Sequence, residues 1–120
     1  MTGSRDEILH PMQSATDADF PSAPEQWTSD SARQVAAEYE IDLDDDHWIV
    51  IRALQEYYAR HEGRVNVREL LDALEEKFHN KGGLKYLYRL LPGGPVAQGC
   101  RLAGFQPPAG AVDKGFGSVQ

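Results

Sequence analysis

The chain has 120 residues, 41% of them hydrophobic and 26% charged, which is enough for one domain with a modest core and ordinary for a soluble globule. Its single cysteine excludes an internal disulfide framework, and neither a leader-like N-terminus nor an apolar run of membrane-spanning length is present, so a cytoplasmic, reducing compartment is expected. The net charge of −7 is unevenly spread: residues 1–46 carry 12 acidic and 2 basic side chains, whereas Lys77, Lys81, Lys85, Arg89 and Arg101 lie in a stretch with no acidic residue.

Residues 1–26 contain Pro11, Pro21 and Pro24 with little periodicity, which predicts an irregular segment with room for a short hairpin. In "TSDSARQVAAEYE" a helix begins, capped by Ser29 or Asp30, with Val35, Ala36 and Tyr39 along one face. The next helix runs through "DHWIVIRALQEYYARHE". Trp48, Ile51, Leu54 and Tyr58 recur at spacings of three and four, while Ile49, Val50, Ala53 and Tyr57 widen the stripe, so the helix should be contacted from two sides and stop at Gly63. "NVRELLDALEEKF" is the cleanest amphipathic segment, with Asn66 as cap and Val67, Leu70, Leu71, Leu74 and Phe78 on one face. "LKYLYRLL" predicts a fourth helix with Leu84, Leu87, Tyr88 and Leu91 in phase. After "PGGP", "VAQGCRLAG" predicts a short fifth one with Pro95 in its first turn. Beyond Gly104 the chain should be extended and mobile. The expected fold is mostly α: a small bundle of about five helices over residues 27–104, with an irregular segment 1–26 before it and a flexible arm 105–120 after it.

Alternating aspartates at 42, 44 and 46 suggest a calcium loop, but His47 stands where such a loop needs glycine and Ala53 where it needs a bidentate glutamate. Carboxylates here suit a helix N-terminus instead, whose unpaired N–H groups and dipole favour negative charge. His10, His47, His61 and His79 are scattered and give no metal-ligand spacing, so no metal or other cofactor is expected. Two adjacent helices with Arg64 and Arg68 near their turn have the outline of a helix-turn-helix reader of DNA. The basic stretch 77–101 can attract an acidic partner or RNA, or can be a solvated face paired with the acidic first half. No paired carboxylates, phosphate loop or nucleophile–base constellation is present, so a protein partner or carrier is favoured over a stand-alone enzyme. Cys100 admits two main roles, a buried structural thiol or one that carries sulfur or forms a mixed disulfide. Its neighbours Gly99 and Arg101, with Gly104 and two prolines close by, favour exposure, and the Arg101 guanidinium would favour the thiolate.

"DDDHWIVIRALQEYY" followed by "KYLYRLLPGGPVAQGCRLAGFQPPAGAV" resembles the DsrC/TusE family, from about residue 40 to Val112, with Trp27 as an upstream extension. The resemblance implies a small helical fold with a short N-terminal β-hairpin and a mobile C-terminal arm. It also implies that sulfur is carried on a cysteine near the arm's end, with a second cysteine 11 residues upstream in members that work with sulfite reductase. Cys100 matches the upstream cysteine. The arm-end position is Ala111, a departure at the residue that carries the chemistry. Ala97 replaces a common lysine, and "DKGFGSVQ" extends past Val112, where family chains usually stop. An 11-residue arm reaches at most about 36–40 Å, enough to enter a partner's active site. Without a tip thiol that reach carries no sulfur. The function implied is therefore a protein of sulfur metabolism that binds a relay sulfurtransferase or a dissimilatory sulfite reductase, with carrier activity weakened or lost. Cys100 is the candidate persulfide or mixed-disulfide site, and Lys85, Arg89, Arg101 and Ala111 are candidate partner-binding positions. The alternatives are a carrier using Cys100 alone, serving tRNA 2-thiolation or sulfur oxidation, and a regulatory DNA-binding relative.

Overall fold

A computed structural model describes residues 17–108, and among these residues it has five α-helices and no strand. The helices are α1 (Ser29–Tyr39), α2 (Asp45–Arg60), α3 (Val67–Lys77), α4 (Leu84–Leu90) and α5 (Pro95–Ala103). The expected hairpin and Ala111 fall partly or wholly outside the described residues. The part of the N-terminal segment that is described, from Asp17, carries a 3₁₀ turn and further bends. These bends place Phe20 between Trp27 and Trp48, with ring centroids 5.0 and 5.7 Å away.

The first three helices each start where a side chain satisfies the first N–H groups, whereas α4 and α5 begin after Gly83 and Gly94 with no side-chain cap. Thr28, not Ser29 or Asp30, caps α1: its Oγ1 accepts from Ser31 N at 3.0 Å, and Ser31 Oγ accepts from Thr28 N at 3.0 Å. Ser29 is already helical and buried, and its N–H goes to Asp17 Oδ1 at 2.7 Å. The three aspartates of "DDDH" divide the work at the start of α2. Asp44 caps it by accepting from Asp46 N and His47 N, while Asp45 is exposed and Asp46 is buried. His47 Nδ1 accepts the Asp44 N–H at 3.1 Å, and its Nε2 meets the Leu90 carbonyl at 2.8 Å, so the imidazole pins the end of α4 to the start of α2. Asn66 caps α3 as its position predicts, with Oδ1 accepting from Glu69 N at 3.0 Å.

α5 is the centre of the bundle. It packs against all four other helices, most extensively against α2 and α1, and only Arg101 on it is exposed. Gly99 permits the close approach of α2: a Cβ there would lie 2.7 Å from Leu54 Cδ1. One expected phase is corrected in α4, where Tyr88 is 48% exposed. Leu87 and Leu91 are buried as expected and Leu84 packs on the core, but Leu90 is buried too and Tyr86 is partly buried, its hydroxyl donating to Asp46 and tying the helix to α2.

Asp46 ties α2 to the segment before α4. It also accepts from Lys81 Nζ at 2.9 Å. Burial pulls its carboxyl upward, but the Tyr86 and Lys81 hydrogen bonds and the Lys81 charge outweigh burial and hold it below the usual carboxylate range. Tyr86 is pushed up to about 12, chiefly by that hydrogen bond and then by burial, so it stays a donor. A carboxyl depressed in the folded state stabilises above its unfolded pKa and loses that contribution as pH falls through its folded one. Asp46→Asn is therefore expected to cost about 1–2 kcal/mol at neutral pH, with little from the exposed Lys81 because its pairing is screened by solvent. Urea titrations from pH 7 downward should show the gap to wild type closing below about pH 4. A gap independent of pH would contradict this assignment.

Candidate functional site

Cys100 lies on the face of α5 that meets α2, and it is fully buried. The exposure expected from its sequence neighbours is therefore corrected. Arg101 follows it in the chain but projects to solvent, and the residues that surround the thiol come from elsewhere. Tyr58 of α2 brings its hydroxyl to 3.4 Å from Cys100 Sγ. Phe105, the second residue after α5, stacks on the Tyr58 ring with centroids 3.8 Å apart and planes at 8°. Burial pushes the thiol above its ordinary pKa, and the hydrogen bond from Tyr58 only partly opposes this. Tyr58 is itself pushed up, first by burial and then by the sulfur, so it is neutral and able to donate at physiological pH.

The end of α5 fixes this arrangement. Gly104 adopts φ +99, which a side chain would strain, and its N–H meets the Arg101 carbonyl at 3.2 Å. The Phe105 N–H then bonds the Cys100 carbonyl at 2.8 Å, so Phe105 is tied to Cys100 through the backbone and to its hydroxyl neighbour through the ring. Trp27 Nε1 donates to Leu102 O at 2.8 Å, and Gln55 Nε2 donates to Ala103 O at 3.0 Å. Gln55 is fully buried, and its Oε1 has no partner among the described residues.

The cationic candidates do not gather at the thiol. Lys85 and Arg89 lie one turn apart on the exposed side of α4, flanking Tyr88. Arg101 lines a separate groove with Pro24, Trp27 and Gly104. Lys81 is held by Asp46, so the basic stretch pairs in part with the acidic first half of the chain. Arg64 and Arg68 are exposed, but so are Glu62, Glu69 and Asp72 beside them, and this mixture gives phosphates no continuous cationic track. A groove of about 650 Å³ between α1 and the start of α2 is lined by Arg33, Glu40, Asp42 and Trp48 among others, and none of the thiol's neighbours lines it.

Among the described residues no three histidine, cysteine, aspartate or glutamate side chains gather as a metal site would require, and no helix is long and apolar enough to cross a membrane. Tyr58 was legible in the sequence only as a core position, and Phe105 and Gln55 carried no functional signal. The one available hint was the glycine at 104 followed by an aromatic residue, the pattern of a helix end that folds a hydrophobic side chain back onto its last turn.

Comparison with known proteins bears on this site. The family described as DsrC like protein matches residues 11–112. The chain is 38% identical over 86 residues to "Sulfurtransferase TusE homolog" of Haemophilus influenzae, covering 71% of this chain and 79% of that one. It is 36% identical over 88 residues to "Sulfurtransferase TusE" of Salmonella typhimurium and 34% identical over 88 residues to that of Escherichia coli, each match covering 72% of this chain and 81% of the relative. No solved structure gives a significant match.

Proposed function

This chain belongs to the DsrC-like family, and on that premise we propose that it is a cytoplasmic sulfur-relay protein that binds a relay sulfurtransferase through its helical body, with its own capacity to carry sulfur weakened or lost. The observation that supports this reading is the state of the chain's only cysteine. Cys100 is fully buried with a raised pKa, and the position where the family carries sulfur is Ala111. The thiolate is the sulfur nucleophile, so a group that is both inaccessible and protonated accepts sulfur poorly. The exposed face of α4, with Tyr88 between Lys85 and Arg89, suits an acidic protein surface. An aromatic flanked by cations can bury area and pair charge together. We assign Lys85 and Arg89 to that contact, with Arg101 and Ala111 at or beyond the end of α5 as further contact positions.

Calorimetric titration with a relay sulfurtransferase tests the reading. A one-to-one complex is expected for wild type and for Cys100→Ser alike, because binding through the body does not need the thiol. Lys85→Glu with Arg89→Glu should weaken it by about tenfold. Absence of a complex with wild type would contradict the proposal.

A second reading, carriage of sulfur on Cys100 itself, is favoured by the Tyr58 hydroxyl at the sulfur. In that step the Cys100 thiolate attacks the outer sulfur of a donor persulfide. The donor S–S bond breaks and the donor leaves as its thiolate, with no net oxidation.

A further inference from the structure

We propose that Phe105 is a latch on Cys100: stacked on Tyr58, it keeps the thiol shut away from solvent and from sulfur reagents, and lifting it opens the thiol. The inference rests on the reading of Cys100 as the chain's one sulfur-reactive group and adds how that group is regulated. Three observations meet at one residue. The Phe105 ring lies flat on the Tyr58 ring, the Tyr58 hydroxyl contacts Sγ, and the Phe105 N–H holds the Cys100 carbonyl. Lifting Phe105 therefore breaks the stack and the backbone bond together and frees the Tyr58 ring to swing off the sulfur.

The surroundings give this motion a pivot. Gly104, with φ +99, is the residue best able to change backbone conformation between the rigid α5 and Phe105. Trp27 and Gln55 anchor Leu102 and Ala103, so movement begins after them and leaves α5 seated. The buried Gln55 Oε1 has no partner in the closed arrangement among the described residues. Phe105 itself is only partly buried, so the latch is held by one ring face and not by the core.

The test is the rate at which the native chain reacts with DTNB (5,5′-dithiobis-(2-nitrobenzoate)). The Cys100 thiolate attacks one sulfur of the reagent, its S–S bond breaks, a mixed disulfide forms and the coloured thiolate leaves. Phe105→Ala is expected to react at least about tenfold faster than wild type, beyond the increase its urea midpoint predicts from global unfolding. Tyr58→Phe keeps the stack and loses the hydroxyl, so its thiol should stay slow and titrate at a higher pH than in wild type. Phe105→Leu, which keeps apolar bulk without the flat stack, should fall between wild type and Phe105→Ala. A Phe105→Ala rate equal to wild type, or one fully explained by lost global stability, would overturn the latch. The reagent needs no partner, so failure here leaves the binding proposal standing, and failure to bind a sulfurtransferase leaves the latch standing.

Discussion

Ala111→Cys is expected to take up one sulfur atom per chain from a persulfide-bearing sulfurtransferase at least about tenfold faster than the unaltered chain. The expectation follows from comparing two thiols. Cys100 is buried beneath Tyr58 and Phe105 and its pKa is raised, so the reactive thiolate is both scarce and covered. An unburied cysteine has a pKa of about 8.5, which leaves a few per cent as thiolate at neutral pH. The same substitution combined with Cys100→Ser should load equally well, because the tip needs no second thiol to accept a single sulfur. Intact mass spectrometry reads both. If Ala111→Cys stays unloaded while still binding the sulfurtransferase, the missing tip thiol is not what separates this chain from the family's carriers.

Trp27→Ala is expected to remove about 3–5 kcal/mol of folding stability, a large part of what a domain of this size has. Trp27 is only 7% exposed and packs on Phe20, and its indole N–H satisfies the carbonyl of Leu102. The indole also packs closely on the backbone of Gly104, where a Cβ would lie only 3.0 Å from Trp27 Cδ1. Truncation therefore opens a cavity and strands a buried acceptor at once. Trp27→Phe should lose about 1–2 kcal/mol, mostly the hydrogen bond. Urea unfolding monitored by circular dichroism measures both. A loss below about 1 kcal/mol for Trp27→Ala would mean that the segment around Trp27 is not part of the cooperative core.

The sequence announces most helices because their signals are local. Asn66 three residues before Glu69, the three-and-four spacing of Val67, Leu70, Leu74 and Phe78, and Pro95 at the start of α5 each act within one or two turns. Where local signals compete, the outcome turns on tertiary contacts. Thr28 caps α1 through its box with Ser31 while the Ser29 N–H goes to Asp17, and Tyr88 faces solvent while Tyr86 bonds Asp46. The site is less legible for the same reason. Gly99 and Arg101 describe a solvent-facing thiol, but the environment of Cys100 is set by Tyr58, 42 positions earlier, and by a helix that packs on four others. The family resemblance directed attention to the stretch that contains Cys100 and Phe105. The burial of the thiol and the ring above it come only from the three-dimensional arrangement.

The most direct measurement is the intact mass of the unaltered chain after incubation with a persulfide-loaded relay sulfurtransferase, with Cys100→Ser beside it, over a time in which Ala111→Cys loads fully. An unchanged wild-type mass, with the sulfurtransferase bound, is the predicted result and leaves a family body that engages the relay without carrying its sulfur. A gain of one sulfur atom by wild type at a comparable rate, absent from Cys100→Ser, would contradict the account and make Cys100 the carrier.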